Sequence, residues 1–168
     1  MSRIDFVTGA PIRYAENVSL LSDIPNLVKK ALGEEKIREE DAQAIDAHSN
    51  ESDWSAHRVL CHMRNYSYNI TLLISRMLTD TDPKQIQWNE NTEYLELNQS
   101  EKALLNINSQ LKENIERLVV MLSKTPDAAW GRAGTHLYLG RVSVKQLVKW
   151  HYNHLLQHIE QIKNIENS

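Results

Sequence analysis

The sequence predicts an all-α fold, a four-helix bundle with additional short helical segments, and three observations predict it. Apolar residues recur at three- and four-residue steps over several long stretches, the period of an amphipathic helix. Only five Gly and four Pro occur in 168 residues, which argues against many tight hairpins. Helix-start signals stand directly before the periodic stretches. One domain spanning residues 1–168 follows from the length, which suffices for a single real core.

The elements follow in order. Residues 1–15 hold Gly9 and Pro11, show no clear period and read as an N-terminal strap. Ser22 or Asp23 can cap a helix whose early Pro25 is tolerated in the first turn, and Gly33 can end it. Leu27, Val28, Ala31 and Leu32 give that helix its apolar stripe. From Glu34 to Ala47 the chain is charged and helix-prone, a shorter segment broken at Asn50-Glu-Ser-Asp53. A long helix then starts at Ser55, with Trp54 placed to pack on Val59 as a hydrophobic staple. Val59, Leu60, Met63, Tyr66, Ile70, Leu73 and Met77 carry its apolar face to about residue 78. A loop follows from Thr79 past Trp88. Another long helix begins near Ser100, with Ala103, Leu104, Ile107, Leu111, Ile115, Leu118, Val119 and Leu122 on one face. Thr125-Pro126 caps a short turn ending near Trp130. The glycine-rich stretch Gly131–Gly140 reads as a loop, without the lysine and spacing of a phosphate-binding loop. The last helix has the strongest start signal. Ser143 and Gln146 form a capping box, Val142 can staple onto Leu147, and the helix runs from about 144 to 165.

Composition narrows the function classes. A formal net charge of −3 disfavours a nucleic-acid partner held through phosphates. The single cysteine, Cys61, cannot form an intramolecular disulfide, which fits a reducing, cytoplasmic compartment. The first residues lack the apolar core of a secretion signal, and no uncharged apolar run approaches the roughly 18 residues of a membrane span. The expected partner is a small-molecule substrate, with no nucleic acid and no membrane.

The histidines carry the chemistry. His154 and His158 are four apart, so a helix places them one turn apart on one face, where two imidazoles can grip one metal ion. His62, on the earlier helix, is the third. Three histidines leave a metal with an open position, the layout of a reactive rather than a closed structural site. His151 falls within the same stripe as His154. Arg58, Asn65 and Tyr66 share the His62 face and could hold an anion, a water or a substrate. The competing reading is a polar seam of neutral histidines with no metal. His57 lies about 140° around the helix from His62 and cannot join it on one ion without distortion. His48 and His136 read as loop or surface residues, and Cys61 as a small core residue. The metalloprotease pattern His-Glu-x-x-His is absent, since Leu155 stands where its glutamate would be. No Glu-x-x-His occurs either, against a ferritin-like di-iron site. A bis-histidine haem stays open, without a Cys-x-x-Cys-His attachment motif.

Three stretches together resemble the DinB-like family of small metal-binding helix bundles, related to bacillithiol- and mycothiol-dependent transferases and maleylpyruvate isomerases. They are Trp54-Ser-Ala-His-Arg-Val-Leu-Cys-His62, Trp130-Gly-Arg-Ala-Gly-Thr-His-Leu-Tyr-Leu-Gly140 and His154-x-x-x-His158-Ile-Glu-Gln-Ile162. The likeness extends from about residue 20 to residue 165. It implies a four-helix bundle, often dimeric, with His62, His154 and His158 ligating a divalent metal, commonly nickel or zinc. It implies a thiol transferase or hydrolase acting on a small molecule, with a low-molecular-weight thiol as a candidate cosubstrate. The chain departs from the pattern at Arg58, Asn65 and Leu155, where relatives often carry carboxylates. Such carboxylates raise ligand basicity and fix imidazole tautomers. Their absence motivates an alternative, a non-catalytic metal-binding or stress-related module of the same fold.

Overall fold

A computed structural model of the protein describes residues 9–33, 54–86 and 104–166. It is a four-helix bundle with one small hairpin. His48, Trp88, the segment from Glu34 to Ala47 and the expected helix start near Ser100 lie outside the described residues. The helices are α1 (Ala15–Ser22), α2 (Ile24–Leu32), α3 (Ala56–Thr79), α4 (Leu104–Ser123) and α5 (Val144–Glu166). A 3₁₀ turn (Asp127–Gly131) and the strands β1 (Ala133–His136) and β2 (Gly140–Ser143) connect α4 to α5. The helices α1 and α2, joined at Asp23, make one corner. The α1 helix packs chiefly on α4, α2 on α5, and α3 on both α4 and α5.

The periodic residues close the core. Val59, Leu60, Met63, Ile70, Leu73 and Met77 of α3 are buried with Ile107, Leu111, Ile115, Leu118 and Leu122 of α4. The α5 helix adds Val144, Leu147, Val148, Leu155, Ile159 and Ile162. Ser55 caps α3, its hydroxyl accepting the Arg58 backbone N–H at 3.1 Å. The α5 capping box forms in both directions. Gln146 N–H donates to Ser143 Oγ at 3.1 Å, and Ser143 N–H donates to Gln146 Oε1 at 2.9 Å. Asp23 precedes α2 as expected but makes no side-chain cap bond.

Two elements differ from the sequence expectation. The strap ends earlier than residue 15, because α1 forms from Ala15 onward. Only Val18 and Leu21 of α1 are buried, and two apolar positions in eight residues make too short a period to stand out. Ahead of α1, the Asp127 carboxylate accepts the backbone N–H groups of Ile12 and Arg13 at 3.0–3.1 Å and pins the strap. These bonds, led by the one from Arg13, hold the Asp127 carboxyl below its ordinary pKa.

The stretch Gly131–Gly140 is a hairpin rather than a loop. Its strands pair antiparallel, from Ala133 opposite Ser143 to His136 opposite Gly140. Gly140 sits at φ +75°, a value that side-chain-bearing residues seldom adopt. The strand β1 also pairs with the chain leaving α3: Gln85 N–H donates to Thr135 O, and Thr135 N–H to Pro83 O, each at 2.8 Å. The Arg132 guanidinium donates to the Met77 and Asp80 carbonyls at 2.6 and 2.7 Å, setting a cation on the carbonyl end of α3. This docking leaves no room at Gly134, where an added Cβ would lie 2.5 Å from Met77 Cγ and 3.3 Å from the Pro83 carbonyl oxygen.

Two substitutions test these supports. Ser143→Ala is expected to cost about 1 kcal/mol, the usual value of a helix N-cap. Gly134→Ala is expected to cost more, about 1–3 kcal/mol, because the new methyl overpacks the hairpin against α3. Guanidinium unfolding midpoints of the two variants measure both.

Candidate metal centre

The helices α3 and α5 meet along a seam that carries the histidines. His62 lies on α3 within the first two turns set by the Ser55 cap. His154 and His158 lie one turn apart on α5, whose register the capping box fixes. One ring nitrogen from each of the three falls within 4.8 Å of the other two. The ring centroids are 4.5 Å apart for His62–His158 and His154–His158, and 5.3 Å for His62–His154. His62 and His158 are buried, and His154 is half-buried, forming the more accessible side of the group.

Hydrogen bonds set the imidazole orientations. His158 Nδ1 lies 2.9 Å from Gln161 Oε1, an acceptor, so this nitrogen carries the proton. The lone pair of His158 therefore sits on Nε2, 2.9 Å from His154 Nε2. His154 Nδ1 is buried with no hydrogen-bond partner among the described residues. Desolvation, followed by the neighbouring His158, His62, His151 and His136, pushes the His154 pKa down to about 2. His154 is thus neutral across ordinary pH and offers a lone pair with no proton competing for it.

These residues fit a divalent cation. Three neutral imidazoles are a normal donor set for zinc or nickel. Ligand atoms within 4.8 Å of one another are close enough to share one ion. The arrangement of His158 between the site and Gln161 is the usual way a ligand histidine is held from behind. Among the described residues no carboxylate or thiolate joins the three histidines.

Aromatic rings wall the group. The Trp54 ring is 5.2 Å from His62, and the Tyr66 ring lies 4.6 Å from His62 and 4.9 Å from His154. Trp150 stacks on His154 at 4.8 Å and 15°. Tyr66, singled out from the sequence, therefore stands at the site. Arg58 is one ring removed: it is 1% exposed, its guanidinium 4.9 Å from the Trp54 ring, which in turn meets His62. Asn65 faces elsewhere. Its Oδ1 accepts from Arg64 Nε and Nη2 at 3.1 and 2.9 Å, and it lines a groove between α3 and α4 with Gln110 and Asn114. Cys61 is fully buried, its sulfur 3.9 Å from His57 Nδ1, as a core residue.

His136 corrects the sequence reading most clearly. It was expected in a loop or at the surface and is 1% exposed in β1. Its Nδ1 accepts the Tyr138 and Leu139 backbone N–H groups at 3.1 and 3.2 Å, which places its proton on Nε2. Its ring lies 4.8 Å from Trp150, so it supports the ring stacked on His154. The alternation of β1, with Gly134 and His136 inward, shows only once the strand's partners are in place. His151, on the centre of the buried α5 stripe, is fully buried, and neither ring nitrogen has a hydrogen-bond partner among the described residues. Desolvation first, then His136, lowers its pKa to about 3.

This burial has a pH consequence. The folded-state pKa of His151 lies below the unfolded value, near 6.5, so the unfolded chain binds the extra proton. Stability is complete above about pH 6.5 and falls with pH toward 3, by up to about 1.4 kcal/mol per pH unit from this residue. Denaturant titrations of chelator-treated protein at pH 7 and pH 5 should show the loss, and His151→Phe should reduce the difference without abolishing it, because His154 is depressed in the same sense.

A scan of family models finds no match to the chain, and a search of curated proteins finds none in sequence. A match exists among solved structures. YfiT from Bacillus subtilis, described as a probable metal-dependent hydrolase with an unusual four-helix bundle topology, superposes with a TM-score of 0.75 at 18% sequence identity. The superposition covers 90% of this chain and 85% of YfiT, and it places the fold of this chain with that four-helix bundle.

Proposed function

We propose that this chain is a divalent-metal-dependent enzyme acting on a small molecule, with His62, His154 and His158 as ligands of zinc or nickel. The observation that carries the reading is the convergence of three imidazole nitrogens from two helices within 4.8 Å. Three protein ligands leave a coordination position open, as reactive metal sites do and structural ones do not. A bound divalent ion supplies Lewis acidity and lowers the pKa of a water or thiol at that position toward neutrality. The description of YfiT as a metal-dependent hydrolase favours hydrolysis of an amide or ester. Transfer of a low-molecular-weight thiol is the reaction that the family resemblance adds.

The chain's own residues do the rest. Gln161 holds His158 with its Nε2 lone pair toward the site. Burial keeps His154 deprotonated. Trp54, Tyr66 and Trp150 exclude water from three sides and strengthen electrostatic interactions inside. The Tyr66 ring borders two of the histidines, and its hydroxyl is a candidate to orient a substrate.

A second reading, a metal-binding module without turnover, is favoured by one observation. No carboxylate stands with the three histidines among the described residues.

Elemental analysis of untagged protein tests the metal. About one zinc or nickel per chain is expected in the wild type and none in His154→Ala, with the helical circular dichroism retained. Metal-free wild type after incubation with either ion would sink the proposal. Turnover of a panel of esters, amides and thiol–electrophile pairs by the loaded protein separates the enzyme from the module. The enzyme loses at least about a hundredfold in kcat/KM on His154→Ala.

A further inference from the structure

A second cavity lies on the other side of α5. It holds about 390 Å³, within the range of small-molecule sites. Three cations rim it: Arg13 from the strap, and Lys145 and Lys149 from α5. Its walls are apolar, made by Tyr14, Tyr152 and the buried Val148. Lys145 and His154 are nine residues apart, which is about 180° around a helix. This cavity therefore opens away from the three histidines.

No carboxylate lines the cavity among the described residues, and Asp127 acts on Arg13 from beside it. The Tyr14 ring stacks on buried Trp130 at 4.7 Å, which fixes it. The Arg13 guanidinium and the Lys145 ammonium lie 5.8 and 5.7 Å from the centroid of that one ring. Cation–π attraction helps hold them there. Among the described residues none of the three cations is in an ion pair, and no acidic side chain lines the cavity. The Asp127 carboxylate, the acid tied to this segment, spends its oxygens on the backbone N–H groups of Ile12 and Arg13. That bond locks the backbone of Arg13 while leaving its side chain to the cavity. In a chain of net charge −3, three exposed cations around an apolar hollow offer a place for an anion.

We propose that this cavity is a binding site for a small organic anion, a phosphate or carboxylate carried on an apolar, planar body. The charged group sits among Arg13, Lys145 and Lys149, and the body lies between Tyr14 and Tyr152 over Val148. The amides of Asn17 and Asn153 stand at the edge to accept or donate hydrogen bonds. This inference does not depend on the metal centre.

Phenyl phosphate is the probe, titrated calorimetrically into the full-length, metal-loaded protein at low salt. Saturable binding is expected, at least about tenfold tighter than inorganic phosphate or benzyl alcohol, because neither supplies both charge and ring. The double variant Lys145→Gln/Lys149→Gln should weaken it at least tenfold with metal content unchanged, and His154→Ala should leave it intact. Equal affinity for phenyl phosphate and inorganic phosphate overturns the proposal. So does an equal loss in the control Lys112→Gln, which lies on exposed α4. Loss of binding in His154→Ala would place the probe at the histidines instead. A dimer in sedimentation that Lys149→Glu dissociates would make the face an interface between copies.

Discussion

The structure depends on the desolvation of imidazoles in the seam between α3 and α5. Burying a histidine in its charged form costs far more than burying it neutral, so the seam can close only around unprotonated rings. His151 and His154 are held neutral in this way, down to a pKa of about 3 and about 2. Neutrality is also the state in which an imidazole can ligate a cation. The same burial that lets α5 pack against α3 therefore prepares the nitrogens for a metal. The cost falls on the packing. His151 occupies the centre of an otherwise apolar stripe and leaves two polar atoms without hydrogen bonds among the described residues, where a leucine would leave none.

Much of this was legible in the sequence because it is local. The Ser55 cap and the Ser143–Gln146 box set the starts of α3 and α5, and a helix start fixes the angular position of every residue after it. His62, His154 and His158 share a seam because those two starts are in register with the apolar stripes of Leu60, Met63, Leu147 and Leu155. What was not legible is what depends on contacts distant in sequence. The hairpin forms because Thr135 finds Pro83 and Gln85, about fifty residues earlier, and because Arg132 finds the end of α3. No period within Gly131–Gly140 announces that partner. His136 was misplaced for the same reason, since its burial comes from Trp150 on another element. Asn65 shows the opposite failure. Its angular position on α3 suggested the His62 side, but its immediate neighbour Arg64 takes its oxygen and turns it toward α4.

The three-layer wall of rings follows from these positions. Tyr66 falls one turn after His62, and Trp150 one turn before His154, so each helix supplies both an imidazole and the aromatic ring that covers it. His136 then supports Trp150 from β1. The hairpin is thereby tied to the candidate site through Trp150, which His136 meets edge-on and which stacks on His154. It also explains why a connection between α4 and α5 that could have been a plain loop is built as a strand pair docked on the end of α3. Only a fixed backbone can hold a buried imidazole with two N–H groups donated to its Nδ1.

The absence of carboxylates among the described residues at the histidines bears on what kind of metal chemistry the proposed site favours. A carboxylate behind a ligand histidine pulls on its N–H, raises the basicity of the ring and passes negative charge toward the metal. Here the group behind His158 is Gln161, whose amide oxygen fixes the same tautomer with no net charge. Orientation is kept while the electrostatic donation is weaker. An ion held by a ring backed in this way would keep more of its own positive charge. It binds less tightly and polarises more strongly whatever occupies the open position. In the proposed enzyme that balance would favour polarising a water or thiol at the open position.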